Sequence, residues 1–387
     1  CMPPLHAHPA RLPHHARLPH HARLPGHASA GAAGLPARLR PRPWALSLGL
    51  LLCGLAGGGP RPAAAEPAVL GEAPETLLLQ EPTVSAGHVV FTYAQDLWVV
   101  DRTGGEARRL TSSPGAESAP SLSPDGRWVA FTGEYEGNAD VYVLPIEGGL
   151  PRRLTWHPDR DRVLGWHPDG QRVCFASPRA GGPGVDKAFL VPAAGGPVEE
   201  LPLPEVAHLA FDPAQPGRVA YTPIRPAFRT WKRYRGGRVS PVWLTDLGSL
   251  ETSALAPQGA SQAWPCFARG WVWFASDRDP ATPSGNLAED RRMQVWRWRP
   301  GAPAPEQVTH FTTFDVRWVS AGAGTLVLEQ GGALHLLDPD TLVLTRLVVR
   351  LRTDGLHALP RWQEAKGHVR AMAVAPNGKR SAFEARG

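Results

Sequence analysis

The chain has 387 residues, with 41 basic and 35 acidic side chains, 41 Gly, 42 Pro, 14 Trp and only 3 Met. Its formal net charge of +6 belongs to residues 1–65, which hold seven arginines and no acid. The body is therefore close to neutral and carries no electrostatic footprint for a nucleic acid.

Gly and Pro at this density serve either tight turns or disorder, and the two separate along the chain. Residues 5–28 are a His-rich tandem repeat that includes ARLPHHARLPHHARLPGHA. Such a tract can bind metal, but it reads here as unstructured or as an extension upstream of the true start. The chain begins with Cys rather than Met, which suggests a fragment. Residues 36–42, PARLRPR, form a basic region ahead of an apolar stretch at 44–56, and Ala63-Ala64-Ala65 offers a small-residue cleavage site before Glu66. The apolar stretch is too short for a stable membrane span and has the length of a secretory signal, the alternative being an alanine-rich disordered tail. Cys53 hints at a lipoprotein site, although Leu52 is bulky where a small residue is wanted. The expected location is periplasmic or secreted, or cytoplasmic if the leader is a mis-called start. Residues 66–81 read as a linker.

From residue 82 a unit of strand, turn and polar tail recurs about every 40 to 50 residues. Six copies align: DLWVVD (96–101), DVYVLP (140–145), KAFLVP (187–192), SPVWLT (240–245), MQVWRW (293–298) and GALHLL (332–337). The first two are followed by near-identical text, GGEARRLT (104–111) and GGLPRRLT (148–155). Turn cassettes SPDG (123–126) and HPDG (167–170) precede the strands of blades two and three, with Pro setting φ and Gly taking the positive φ. The pattern predicts an all-β fold, a six-bladed β-propeller over residues 82–353 with one four-stranded sheet per blade. Residues 354–366 then act as a connector. A fresh cassette at 375–378, APNG, and a strand at 381–384 predict the first strands of a second, truncated propeller over 367–387. Cys174 and Cys266 lie in apolar strand text and are expected to pack as small hydrophobes, a disulfide being the alternative.

The chain has no G-x-S-x-G elbow, no H-E-x-x-H, no C-x-x-C and no P-loop, and no pattern calls for a cofactor. Eight histidines follow the leader, most of them at turns such as His157 and His167, where solvation is the ordinary fate. The candidate binding motif is WKRYRGG at 231–237, inside a long insertion at 223–241. Its cations Arg233 and Arg235 either grip a carboxylate, dock a catalytic core, or pin their own loop by cation–π packing.

Three segments resemble the tricorn protease family: SPDGRWVAFTGEYEGNADVYV (123–143), WKRYRGG (231–237) and FDVRW (314–318). The resemblance covers residues 82–387. It implies a six-bladed propeller followed by a seven-bladed one, with the catalytic Ser, His and Glu of a self-compartmentalising serine peptidase far downstream. It also implies peptide ligands, partnership with catalytic domains of the same chain, and a homo-oligomer in the full-length form. Family members carry paired arginines for a peptide's C-terminal carboxylate just before the third blade's turn cassette. The matching stretch, DRDRVLGWHPDG (159–170), is shorter and splits the pair as Arg160 and Arg162. The leader departs from the cytoplasmic setting expected of the founding members. The expected role is to gate peptide passage. A non-enzymatic secreted propeller of the TolB type, serving as an interaction scaffold, and the propeller cap of a prolyl-oligopeptidase-like enzyme are the alternatives.

Overall fold

The computed structural model describes residues 74–182, 184–224, 239–255, 260–278, 292–353, 355, 362, 364 and 367–385. Regular structure among these residues is entirely strand, so no helix there is long and apolar enough to cross a membrane.

Six antiparallel four-stranded sheets follow one another along the chain. Blade one is Gln80–Val84, His88–Tyr93, Asp96–Asp101 and Gly105–Arg109; blade two is Glu117–Leu122, Trp128–Gly133, Asp140–Pro145 and Arg152–Arg153. Blade three is Arg162–Trp166, Arg172–Ser177, Lys187–Pro192 and Glu199–Glu200; blade four is His208–Asp212, Gln215–Thr222, Trp243–Asp246 and Thr252–Ala254. Blade five is Gln262–Ala268, Trp271–Ser276, Gln294–Trp298 and Glu306–Gln307; blade six is Val316–Gly322, Thr325–Gln330, Ala333–Leu337 and Leu344–Leu347. The six apolar repeats of the sequence are thus the third strands of the blades. The first strand of each blade contacts the first strand of the next, and that of blade six contacts that of blade one, so six innermost strands close a ring about the axis.

Burial explains why the strands read as near-continuous apolar text. Both faces of each blade are covered, so neighbouring residues on one strand enter different cores. Val129 and Phe131 pack between blades one and two, while Ala130 between them packs between blades two and three. The same alternation sends Val173 and Phe175 to the blade two–three interface and Cys174 to the blade three–four interface. Every interface around the ring has its own apolar cluster, six in all. Cys174 and Cys266 are both free and buried inside these clusters, and burial pushes both thiols well up.

The repeated RLT text builds a clasp at the outer edge. In blade one Arg109 donates through Nη2 to Asp96 Oδ2 (2.6 Å) and through Nε to the Thr111 carbonyl (2.8 Å), while Thr111 Oγ1 accepts the Leu97 N–H (2.9 Å). Blade two repeats each bond with Arg153, Asp140, Thr155 and Val141 at 2.7, 2.7 and 3.0 Å. Blade five keeps the scheme with amides: Gln307 donates to the Thr309 carbonyl (2.7 Å), and Thr309 Oγ1 accepts from the Val295 N–H (2.9 Å) and donates to Gln294 Oε1 (2.8 Å). Blade three reverses the charges, with Lys187 Nζ at 3.3 Å from Glu200 Oε1.

The ring is sealed by Val349–Leu351, which runs parallel to the outermost strand of blade one in the register Val349↔Gly105, Arg350↔Glu106, Leu351↔Ala107. Gly104 permits this approach: it has φ +87°, and a Cβ there would stand 2.6 Å from the Val348 carbonyl oxygen. The Val349 carbonyl in turn accepts the Thr76 N–H at 2.8 Å. Farther on, Val369–Val374 and Ser381–Ala385 form an antiparallel hairpin with every residue exposed.

Candidate functional site at the starts of the innermost strands

Because every blade has four strands, all six innermost strands run the same way along the axis, and their first residues gather at one end of the ring. That end holds Glu81, Glu117, Arg162, His208, Gln262 with Trp264, and Arg317 with Trp318. Local backbone shapes it. In three innermost strands a residue directly before Pro takes a left-handed conformation: Glu81 at φ +50°, Ala119 at +49° and Trp264 at +50°. The strand register slips at each of these places, as it does between Val316 and Trp318 in blade six. A bulge of this kind re-aims one side chain away from the blade faces. Left-handed non-Gly residues are strained and persist where their surroundings hold them.

Carboxylates line one arc. Glu329 Oε2 accepts the Glu81 N–H (3.1 Å), and Glu81 Oε2 accepts the Ala119 N–H (2.5 Å), so two carboxylates stitch blade six to one and one to two. Burial pushes the Glu329 carboxyl up to about 7, against the opposing pull of the Glu81 N–H and the Arg317 charge. Glu117, only 1% exposed, accepts from Tyr135 Oη (2.9 Å) and Thr111 Oγ1 (3.0 Å), and burial raises it to about 7 as well. On the other arc the groups are aromatic. The Trp264 ring lies 5.6 Å from the His208 imidazole and 5.9 Å from the Trp318 indole.

The predicted arginines fall partly here. Arg162 opens the innermost strand of blade three and donates through Nη2 to the Ala207 carbonyl, just ahead of blade four. Arg160, with a side chain 55% exposed, instead lies 3.3 Å from Asp186 Oδ1. Between them Asp161 is wholly buried and paired with Arg179, whose guanidinium sits 5.1 Å over Phe175 and 5.2 Å over Phe189. The two arginines thus go to different partners. Arg233 and Arg235 lie outside the described residues. His167 is not the solvated turn histidine that its cassette suggests: only 12% of its side chain is exposed, its ring meets Phe211 edge-on at 4.9 Å, and burial lowers its pKa. Asp315 accepts the Met293 N–H at 2.7 Å. Among the described residues no group of three or more His, Cys, Asp or Glu side chains could hold a metal ion.

Neither the aromatic arc nor the carboxylate stitch stands out in the sequence. The available signal was the recurrence of an X-Pro pair two or three residues into an innermost strand, Glu81-Pro82, Ala119-Pro120 and Trp264-Pro265. The ring end thus has buried carboxyls on one arc and tilted aromatic rings in contact on the other.

Fold and ring together define a six-bladed β-propeller domain. The chain belongs to the family described as the tricorn protease N-terminal beta propeller domain, whose model matches residues 76–342. The tricorn protease homolog of Saccharolobus solfataricus is 26% identical over 317 residues, which is 79% of this chain and 27% of that protein. The crystal structure of the tricorn protease superposes with a TM-score of 0.61 at 19% identity, over 77% of this chain and 28% of that one. The crystal structure of TolB from Acinetobacter baumannii gives 0.52 at 14% identity, over 68% and 64%. At these identities the two structures speak for the fold alone.

Proposed function

We propose that this chain is the N-terminal propeller region of a tricorn-like serine peptidase, and that it gates the passage of peptides to a catalytic core carried elsewhere in the full-length protein. The observation that carries the reading is the family match over residues 76–342. A closed ring of six innermost strands with a chemically varied end suits a gate better than a catalytic centre. In this reading Arg233 and Arg235, with Arg160 and Arg162, supply charge-assisted bonds to peptide carboxylates. The catalytic domains of the same chain are the partners, the full-length form is a homo-oligomer, and the leader directs export to the periplasm or beyond. The test is peptide turnover. Replacing Arg233 and Arg235 together by Ala in the full-length protein lowers the turnover of short peptides and leaves the propeller's Tm almost unchanged; unchanged turnover with lost stability would make WKRYRGG a structural clasp. The propeller fold shared with TolB favours a second reading, a non-enzymatic interaction scaffold. A full-length protein that hydrolyses no peptide but co-purifies with a stable protein partner would decide for it.

A further inference from the structure

Five of the six blade interfaces are crossed by the chain itself, which leaves each outermost strand for the innermost strand of the next blade. The sixth is not: Leu347 ends blade six and Gln80 begins blade one. This seam can therefore part without stretching a connection or taking a strand from either blade. Its apolar cluster is also uneven. Six of its buried side chains come from the strands of blade one, but only Val327, Leu334 and Leu347 from those of blade six. Val349, fully buried, and Leu351, 7% exposed, make up the difference, and they belong to the four strands of neither blade.

The strap Val349–Leu351 is bonded along both edges. On the side of blade one, the Gly105 N–H donates to the Val348 carbonyl at 2.9 Å. On the other side, the Val349 carbonyl accepts the Thr76 N–H (2.8 Å), and the Leu351 N–H donates to Thr76 Oγ1 (3.1 Å). The flanking ion pairs Arg346–Glu75 and Arg352–Glu106, both at 2.9 Å, join side chains at least 32% exposed, so they add little and are screened by salt. Nearer the axis the seam has bonds of its own: Ser320 Oγ donates to the Pro82 carbonyl (2.7 Å), and Glu329 accepts the Glu81 N–H (3.1 Å). A three-residue strap at the rim is a far smaller unit than a blade, and units of that size open locally well before the whole fold does.

We propose that Val349–Leu351, with Thr76 laid across it, is a releasable lock on the ring: in place it closes the seam between blades six and one, and when it peels away the seam opens from the rim while all six blades stay folded. The lock is a property of the ring itself and stands whatever the ring passes or binds.

The experiment is thiol labelling of the full 387-residue chain with N-ethylmaleimide, followed site by site by peptide mass mapping. Cys174 and Cys266 are internal standards, buried at the blade three–four and five–six interfaces, both of which the chain crosses. Val100→Cys puts a thiol at the seam, where Val100 is 2% exposed. The thiol at position 100 should react at least tenfold faster than either standard. Val349→Ala with Leu351→Ala should raise the rate at position 100 about a further tenfold and leave the standards unchanged. Arg350→Cys with Glu106→Cys, register partners across the strap, should when oxidised to a disulfide bring position 100 down to the rate of the standards, and a reductant should restore it. Equal rates at all three positions without the strap variants overturn the opening of the seam. Strap variants that speed all three positions alike, or a disulfide that leaves position 100 unchanged, overturn the lock. The disulfide alone decides should the double Ala variant fail to fold.

Discussion

Blades one and two hold their outer edges with the same three side chains, Asp96, Arg109 and Thr111 in one and Asp140, Arg153 and Thr155 in the other. At the inner ends of these blades the matching left-handed positions share nothing, being Glu81 in the first and Ala119 in the second. The contrast extends around the ring. In blades three and five the outer clasp keeps a polar pairing, by the reversed charges of the one and the amides of the other, whereas the inner left-handed positions run through carboxylate, methyl and indole. Repetition marks the residues that build the blades. Departure from repetition marks those that give the ring end its chemistry.

The sharpest way to break this comparison is to open one buried clasp. Asp140 is 1% exposed and takes Arg153 Nη2 at 2.7 Å, so Asp140→Ala removes the buried partner of a guanidinium that keeps the exposed Glu136 carboxylate and the Thr155 carbonyl, each at 2.7 Å. The expected loss is about 2–3 kcal/mol in urea unfolding, at or just below the usual cost of removing one partner of a buried pair. Lys187→Ala in the reversed clasp of blade three, where the acid Glu200 is 44% exposed against 1% for Asp140, is expected to cost under about 1 kcal/mol. Equal losses at the two sites would show that the clasp is not graded by burial.

A somewhat smaller effect comes from the inner stitch and depends on pH. The folded Glu329 carboxyl holds its proton more tightly than the unfolded one, whose pKa is near 4.5. Its contribution to stability is therefore fully present below about 4.5 and is lost as pH rises through about 7. Glu117 behaves in the same way. The lowered histidines His167 and His335 act oppositely, adding stability as pH rises to 6.5, so the unmodified protein alone blurs the signal. Glu329→Gln retains an acceptor for the Glu81 N–H. It should match the parent at pH 5 and exceed it by on the order of 2 kcal/mol at pH 8 in parallel thermal melts. A constant difference across that range would remove the burial argument for this carboxyl.

The smallest effect compares two turns. Gly126 and Gly170 occupy the same cassette position with φ +71° and +69°, yet a Cβ at Gly126 would lie 3.0 Å from Ser85 Cβ, while at Gly170 the nearest atom is 3.9 Å away. Alanine at either site should cost about 1–2 kcal/mol for the left-handed backbone, with Gly126→Ala the worse because Ser85 must also shift. Indistinguishable Tm values would show that Ser85 yields freely.

These cases also show what the sequence could and could not reveal. The SPDG turn was legible because its bonds are local: Ser123 Oγ donates to Asp125 Oδ1 at 2.6 Å, and Asp125 Oδ1 accepts the Arg127 N–H at 3.1 Å. The third strands were legible because burial on both faces leaves an unbroken apolar run. The arginine pair at 160 and 162 could be located, but not its division between Asp186 and the Ala207 carbonyl, since that is set by neighbouring segments. The aromatic arc was illegible for the same reason. His208, Trp264 and Trp318 are separated by some fifty residues each, and only the packing of blade four on five and five on six brings them together.

The sealing strand Val349–Leu351 is made some 240 residues after the strand it joins. During synthesis from the N-terminus, blade one appears first, yet its partner across the seam appears last. Until then Phe91, Trp98 and Val100 on that side of blade one have no apolar surface to meet. The growing chain is an open arc with one greasy flank, and contacts this distant in sequence form slowly. The seam is thus the place where a nascent chain is most exposed to wrong partners, and where a chaperone would gain most by waiting.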